Sequence, residues 1–174
     1  MTKTALITGG AKRIGRGIAL ALVREGYDIV IHFSGSKTEA QNLQEQLREF
    51  GVKTVCLKAD LLDDQDISVL IDRACQKLGK KLTLLINNAS IFEEDSLQTM
   101  TMNSWDRHMY TNLKAPAFLS SSFAKQVPDC KTDTNGELIS VANIINIIDQ
   151  KVLNLNPKFI TYTLAKSGLW SFTK

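Results

Sequence analysis

The sequence is short of cysteine, histidine and long apolar runs, and each shortage excludes a class of function. Cys56, Cys75 and Cys130 are an odd number at wide spacing with no CxxC pair, so reduced thiols are expected in place of a disulfide framework or a zinc ribbon. His32 and His108 lie far apart without Cys or carboxylate partners at ligand spacing, and no metal is expected. No apolar stretch approaches the ~20 residues of a membrane span. The first ten residues run directly into a glycine turn, so no signal peptide is expected and the cytoplasm is the expected compartment. Basic residues do not cluster. A net charge of +3 spread along 174 residues suits an anionic small molecule, and nucleic acid is not an expected partner. With 44% hydrophobic residues, no repeat and no linker, residues 1–174 read as one packed domain.

What is present is an alternation of two periodicities. Thr4 to Thr8, Asp28 to Phe33, Val52 to Leu57, Leu82 to Ile86 and Ile144 to Ile148 are apolar runs of strand length. Between them lie helical patterns at Arg13 to Glu25, Glu39 to Phe50 and Asp63 to Leu78, and at Asn103 to Val127, which Pro116 should bend or divide. A last helix starts near Phe159, and Asp129 to Gly136 reads as a surface loop. Continuous apolar strands separated by helices predict an α/β fold, a doubly wound parallel sheet covered on both faces, with the fifth strand buried like the others.

The turn after the first strand reads Thr8-Gly-Gly-Ala-Lys-Arg-Ile-Gly15. Gly9 and Gly10 permit a sharp reversal, while Gly15 and Gly17 keep side chains away from the helix start, where backbone N–H groups and the helix dipole attract a pyrophosphate. Arg13 stands where this turn usually carries glycine, and its guanidinium can pair with a phosphate. The second strand ends His32-Phe-Ser-Gly-Ser36-Lys37, with no carboxylate before Glu39 to hold a ribose 2′-hydroxyl. Lys12, Arg13 and Lys37, with the Ser34 and Ser36 hydroxyls, are instead suited to a 2′-phosphate, so the expected cofactor is NADP(H).

Tyr162 and Lys166 are four residues apart and share a helix face, thirteen residues after Asp149. An ammonium beside a phenol favours its ionised form, so Tyr162 is expected to titrate below the usual value of about 10 and to pass a proton at neutral pH. Trp105 and Trp170 fall on helices and read as packing residues, the second at a subunit contact.

At these residues the chain resembles the short-chain dehydrogenase/reductase family, in order and along its whole length. Thr8 to Gly15 matches the family's cofactor turn, Asp60-Leu61 its adenine-contacting pair, Asn87-Asn88-Ala89 its strand-four motif, and Asn112, Tyr162 and Lys166 its catalytic positions. The chain is more similar to one branch, the pteridine reductases and their dihydromonapterin or dihydrofolate reductase relatives. That branch also has Arg in place of the middle glycine, as at Arg13. It has Asp in place of the catalytic Ser, as at Asp149, and it reads Asn-Ala-Ser-x-Phe, as in Asn88 to Phe92. His32 matches a His of that branch, whereas Gly35 stands where an Arg would help hold the 2′-phosphate.

The resemblance implies a Rossmann-type three-layer αβα fold that assembles as a homotetramer. It implies a cofactor site of Gly9, Lys12, Arg13, Ile14, His32, Ser34, Ser36, Asp60, Leu61, Asn88, Ala89, Ser90, Tyr162 and Lys166. The implied substrate is a pterin or a dihydrofolate, met by Arg13, Ser90, Phe92, Asp149 and Tyr162. A pterin is flat and polar, so Phe92 can cover one face while the nicotinamide lies on the other. Ser90 can bond the ring or a cofactor phosphate, and Asp149 can relay protons to Tyr162 when a C=N bond is reduced. Asn112 would orient Lys166 through water.

Family members continue past the helix that bears Tyr162, whereas this chain ends inside it at Lys174. The expectation is therefore a fragment of a longer enzyme, or a shortened chain with an open sheet edge and weakened cofactor binding. Two other readings remain at this point. A 3-oxoacyl or other carbonyl reductase of the same family is disfavoured by Asp149 and Arg13, and an inactive nucleotide-binding protein is favoured only by the early stop.

Overall fold

The computed structural model describes residues 3–127 and 130–174. Thr4–Ile7 forms β1 and Asp28–Phe33 forms β2, both buried along their whole length, as strands covered by helices on two faces must be. Thr54–Lys58 is β3 and Leu84–Asn87 is β4. A short antiparallel hairpin, β5 (Lys131–Thr132) with β6 (Leu138–Ile139), precedes β7 (Asn143–Asn146). The main sheet is parallel throughout, in the order β3-β2-β1-β4-β7. Leu6 lies beside Val30 and Leu85, and Ile7 beside Ile31 and Ile86.

Strand alternation sends these neighbours into two separate cores. Leu6, Val30 and Leu85 pack with Leu70 and Ile71 of α3 (Asp64–Leu78) and with Leu119 and Phe123 of α5 (Ala115–Gln126). Ile7, Ile31 and Ile86 pack on the opposite face with Ala19 and Val23 of α1 (Arg13–Arg24) and with Leu43 and Leu47 of α2 (Lys37–Arg48). The chain winds from β1 to β3 on one side and returns to β4 on the other. The β1/β4 boundary is thus the topological switch point, and its C-terminal end is where such sheets bind ligands.

The expected doubly wound fold is present, with β2 as expected and the bounds of the other strands shifted by up to two residues. β7 departs from expectation: its residues alternate between exposed and half-buried, because among the described residues no strand covers its outer side. Part of the expected loop 129–136 is the hairpin. Its turn is held by the Asp133 carboxylate, which accepts the Asn135 and Glu137 N–H groups at 2.8 and 2.9 Å, and by Gly136 at φ +83°. Asp129 lies outside the described residues.

The helical stretch from Asn103 divides before Pro116, not at it. α4 (Met102–Met109) opens on a Thr101/Ser104 capping box, and Tyr110–Lys114 is a π turn in which the Ala115 N–H reaches back to the Tyr110 carbonyl. The wide turn lets Pro116 enter the first turn of α5, where its missing N–H leaves no bond unmade. A 3₁₀ turn at Gln150–Val152 leads to α6 (Ile160–Thr173). Trp105 and Trp170 are 37% and 38% exposed, so neither is a core packing residue. Cys56 and Cys75 are half-buried free thiols, and burial pushes the first up to about 11.

Among the described residues no helix is long and apolar enough to cross a membrane, and no three His, Cys, Asp or Glu side chains are placed to hold a metal ion.

Candidate active site

The glycine turn crosses the top of the switch point, and its neighbours hold it there. Gly9 takes φ +59°, and a Cβ on it would stand 2.9 Å from Ala89 Cα. A Cβ on Gly15 would stand 2.4 Å from the Gly9 carbonyl and 2.7 Å from Asn88 Nδ2. Only glycine fits either position. Gly17 has open space where its Cβ would be, so the expected packing role belongs to Gly15 alone.

The Thr8 hydroxyl accepts the Asn88 and Ala89 N–H groups at 2.9 and 3.0 Å, and the Asn88 amide donates back to the Thr8 and Gly9 carbonyls at 2.9 and 3.1 Å. These bonds tie the β1 turn to the end of β4. Lys12, the N-cap of α1, makes no side-chain capping bond, so the first-turn amides of α1 are left for solvent or an anion. Arg13 sits at φ +49°, a conformation that costs a non-glycine residue about 1–2 kcal/mol. The glycine that commonly occupies this position therefore has a backbone reason, and the strain at Arg13 falls at the site, as strain often does.

His32 clasps the turn from below. Its Nδ1 accepts the Gly9 N–H at 3.0 Å, so its proton sits on Nε2 and is donated to the Ala59 carbonyl at 3.1 Å. With both nitrogens occupied inside the protein, His32 borders the cavity through its ring. Burial pushes the imidazole down to about 4, against the opposing effect of the Ala59 carbonyl. Below the ordinary value near 6.5 the unfolded chain binds a proton that the fold refuses, so stability falls with falling pH until about 4. Between pH 7 and 5 the loss from this one group is about 2 kcal/mol. Urea unfolding at the two pH values should show it, and His32→Asn should flatten that part of the slope.

The residues expected to transfer a proton, Tyr162, Asp149 and Lys166, meet around α6. Tyr162, on α6 and 4% exposed, donates its hydroxyl to Asp149 Oδ2 at 2.8 Å. The other carboxylate oxygen accepts the Lys151 N–H at 2.8 Å, so Asp149 caps the 3₁₀ turn and holds Tyr162 at once. Lys166 is buried and donates to the Ile147 carbonyl at 2.9 Å. It does not lower Tyr162 as expected. Burial and the Asp149 carboxylate raise the phenol above its ordinary range, with a Ser90 hydrogen bond opposing, while burial lowers Lys166 to about 8 against the pull of Asp149. The Asn112 amide bonds both backbone groups of Ile91, accepting the N–H at 2.9 Å and donating to the carbonyl at 2.8 Å, so it anchors the segment after β4.

That segment carries Phe92, which is 54% exposed, stacks on Phe159 with centroids 4.3 Å apart and planes at 4°, and meets the Tyr162 ring edge-on at 4.7 Å. A buried network not foreseen in the sequence fixes it against α6. His108 Nε2 accepts the Glu93 N–H at 3.2 Å, and Nδ1 lies 2.7 Å from the Thr161 hydroxyl. Thr161 in turn donates its hydroxyl and its N–H to the buried Asp95 carboxylate. His108 stands alone in the sequence, and only the packing of α4 against α6 and the segment after β4 gives it these partners. Arg107 pairs with Glu93 at 2.7 Å on the same segment.

These pieces surround one cavity of about 690 Å³, a size suited to a small-molecule ligand. Gly9, Lys12, Arg13, Ile14 and His32 line its floor, with Ser34, Asp60 and Leu61 at one end and Asn88, Ala89, Ser90, Phe92 and Tyr162 at the other. Arg107 and Thr111 also border it and had no sequence signal. Ser36, Asn112, Asp149 and Lys166 lie off its lining, the last three just behind it. Lys12 is paired with Glu39 at 2.8 Å across the turn, both half-exposed.

A parallel sheet with a glycine turn at its switch point and a tyrosine–lysine helix beside it defines an α/β nucleotide-binding protein. The short chain dehydrogenase family model matches residues 3–174, and the chain belongs to that family. It is 30% identical over all 174 residues to the 3-oxoacyl-[acyl-carrier-protein] reductase FabG of Staphylococcus aureus, of which it spans 67%. Among solved structures it resembles FolM alternative dihydrofolate reductase 1 of Brucella canis, complexed with NADP. The TM-score is 0.87 at 35% identity, over 98% of this chain and 65% of that one. The Brucella suis FolM in complex with NADP is 36% identical with a TM-score of 0.87, over 98% and 67%. The chain thus spans about two thirds of the length of these relatives.

Proposed function

We propose that this chain carries the cofactor and proton-transfer machinery of an NADP(H)-dependent reductase acting on a pterin or dihydrofolate-like substrate. The observation that carries the reading is the hydrogen bond from Tyr162 to Asp149 at the cavity wall. A serine there would offer a neutral hydroxyl, whereas the carboxylate suits a substrate that needs a proton on nitrogen. Phe92 at the same wall gives a flat ring something to lie against.

The residues fit the cofactor. The uncapped α1 N-terminus and the Gly9/Gly15 cradle suit a pyrophosphate, Lys12 and Ser34 a 2′-phosphate, and Lys166 the nicotinamide ribose. When bound, NADPH supplies the hydride. Tyr162 holds the proton the substrate nitrogen requires, and its raised pKa keeps that proton in place at neutral pH. Asp149, half-buried at the end of β7, returns a proton from solvent, and the Lys166 ammonium offsets the charge left when Tyr162 gives its own away. Exposed Phe118, Trp170 and Phe172 on α5 and α6 support self-association.

Pterin-dependent oxidation of NADPH, with dihydrobiopterin, dihydromonapterin and dihydrofolate as acceptors, tests the proposal; NADH should serve poorly. Phe92→Ala should weaken pterin binding about tenfold while sparing NADPH. Equal losses for both ligands would assign Phe92 to packing alone.

A further inference from the structure

Phe159 is placed in a way its sequence neighbourhood does not explain. It stands at the N-cap of α6 with φ +59°, the left-handed region that aromatic residues avoid. A strained residue persists only where its surroundings hold it. Here the buried Asp95 does so: its carbonyl accepts the Phe159 N–H at 2.7 Å, and its carboxylate binds Thr161 two residues on. The bend turns the ring out of the helix path and onto Phe92, in a parallel stack with centroids 4.3 Å apart. The Lys151 ammonium lies 4.6 Å from the Phe159 ring centre. Phe92 borders the cavity and Phe159 does not. Phe159 therefore stacks on Phe92 without itself lining the cavity.

We infer that Phe159 is a specificity-determining residue, the backing ring that holds Phe92 as a fixed flat wall and so selects planar heteroaromatic acceptors over flexible ones. The inference rests on the reading of Phe92 as the wall against which the acceptor lies. Unbacked, Phe92 is an exposed side chain with rotamer freedom to lose when a ligand stacks on it. Backed by Phe159, it has surrendered that freedom before the ligand arrives. A layered arrangement of acceptor, Phe92, Phe159 and the Lys151 cation continues the order already present in three of its four members.

Three substitutions separate the ring from the backbone that presents it. Phe159→Gly suits the positive φ and removes the ring, Phe159→Leu keeps apolar bulk without a plane, and Phe159→Tyr restores the plane. Each is compared for dihydrobiopterin and NADPH dissociation constants, and for KM and kcat with dihydrobiopterin, planar phenanthrenequinone and the flexible ethyl acetoacetate. Gly and Leu should raise KM and Kd for the planar acceptors about tenfold. They should leave NADPH binding and the ethyl acetoacetate KM unchanged, and Tyr should restore the parent values. If Gly prevents folding, the Leu and Tyr pair decides, since both bear the same backbone strain. Equal effects on planar and flexible acceptors, or none on either, overturn the inference. A parent protein that takes phenanthrenequinone with the expected Phe159 dependence but binds no pterin refutes the substrate proposal and leaves this inference standing. One that takes neither planar compound overturns both.

Discussion

Tyr162→Phe should reduce turnover by about 10²–10⁴-fold, the range of a lost general acid, while leaving NADPH and pterin binding close to the parent values. The substitution removes one oxygen from a ring already packed against Phe92 and His108, so the wall keeps its shape. What disappears is the only hydroxyl that donates to Asp149 among the bonds described. In free-energy terms the loss is about 3–5 kcal/mol of transition-state stabilisation. Single-turnover rates of NADPH oxidation, set beside equilibrium titrations of both ligands, check the split. A comparable loss of pterin affinity would assign Tyr162 to binding. Because burial and Asp149 both raise the phenol, its ionisation should not limit activity at neutral pH. An alkaline decline near pH 8 would come from Lys166, which burial lowers to about that value.

Gly15→Ala is expected to abolish nucleotide binding and to destabilise the fold by about 2–4 kcal/mol, combining overpacking with a lost buried hydrogen bond. Its methyl group would enter space 2.4 Å from the Gly9 carbonyl, 2.7 Å from Asn88 Nδ2 and 2.9 Å from Gly10 Cα. The turn would have to move as a body and give up the Asn88 bonds that tie β1 to β4. Gly17→Ala is the matched control two residues further along α1. Nothing lies within 4 Å of its Cβ position, so it should stabilise α1 by about 0.5–1 kcal/mol through helix propensity. Denaturant midpoints of the two variants should therefore move in opposite directions, and NADPH binding should be lost only in Gly15→Ala. Similar behaviour would show that the cradle is not where the nucleotide sits.

The sheet was legible in the sequence because β1 and β2 are unbroken apolar runs and the helices between them keep a helical period. The exposure of β7 among the described residues was not, since Ile144 to Ile148 reads the same whether a neighbour covers it or not. The hairpin had a signal in Asn135-Gly136 that the polar composition of its surroundings obscured. At the site, residues tied to a local motif were readable: the Gly9 to Gly15 turn, and Tyr162 with Lys166. The charge relation within the pair was not. Helical spacing puts the two side chains on one face, but the Ile147 carbonyl, from a distant strand end, decides where the ammonium points. His108 and Asp95 were unreadable for the same reason, as their partner Thr161 is supplied by another element. Phe159 had no signature at all, because no rule of sequence places an aromatic residue at positive φ.

Asp149 is the residue on which the substrate proposal turns. The most direct test is the ratio of kcat/KM for dihydrobiopterin to that for a 3-oxoacyl thioester, both with NADPH, in the parent protein and in Asp149→Ser. A ratio that favours the pterin in the parent and falls in the serine variant is the predicted result. A parent that reduces the thioester readily and leaves every pterin untouched would contradict it.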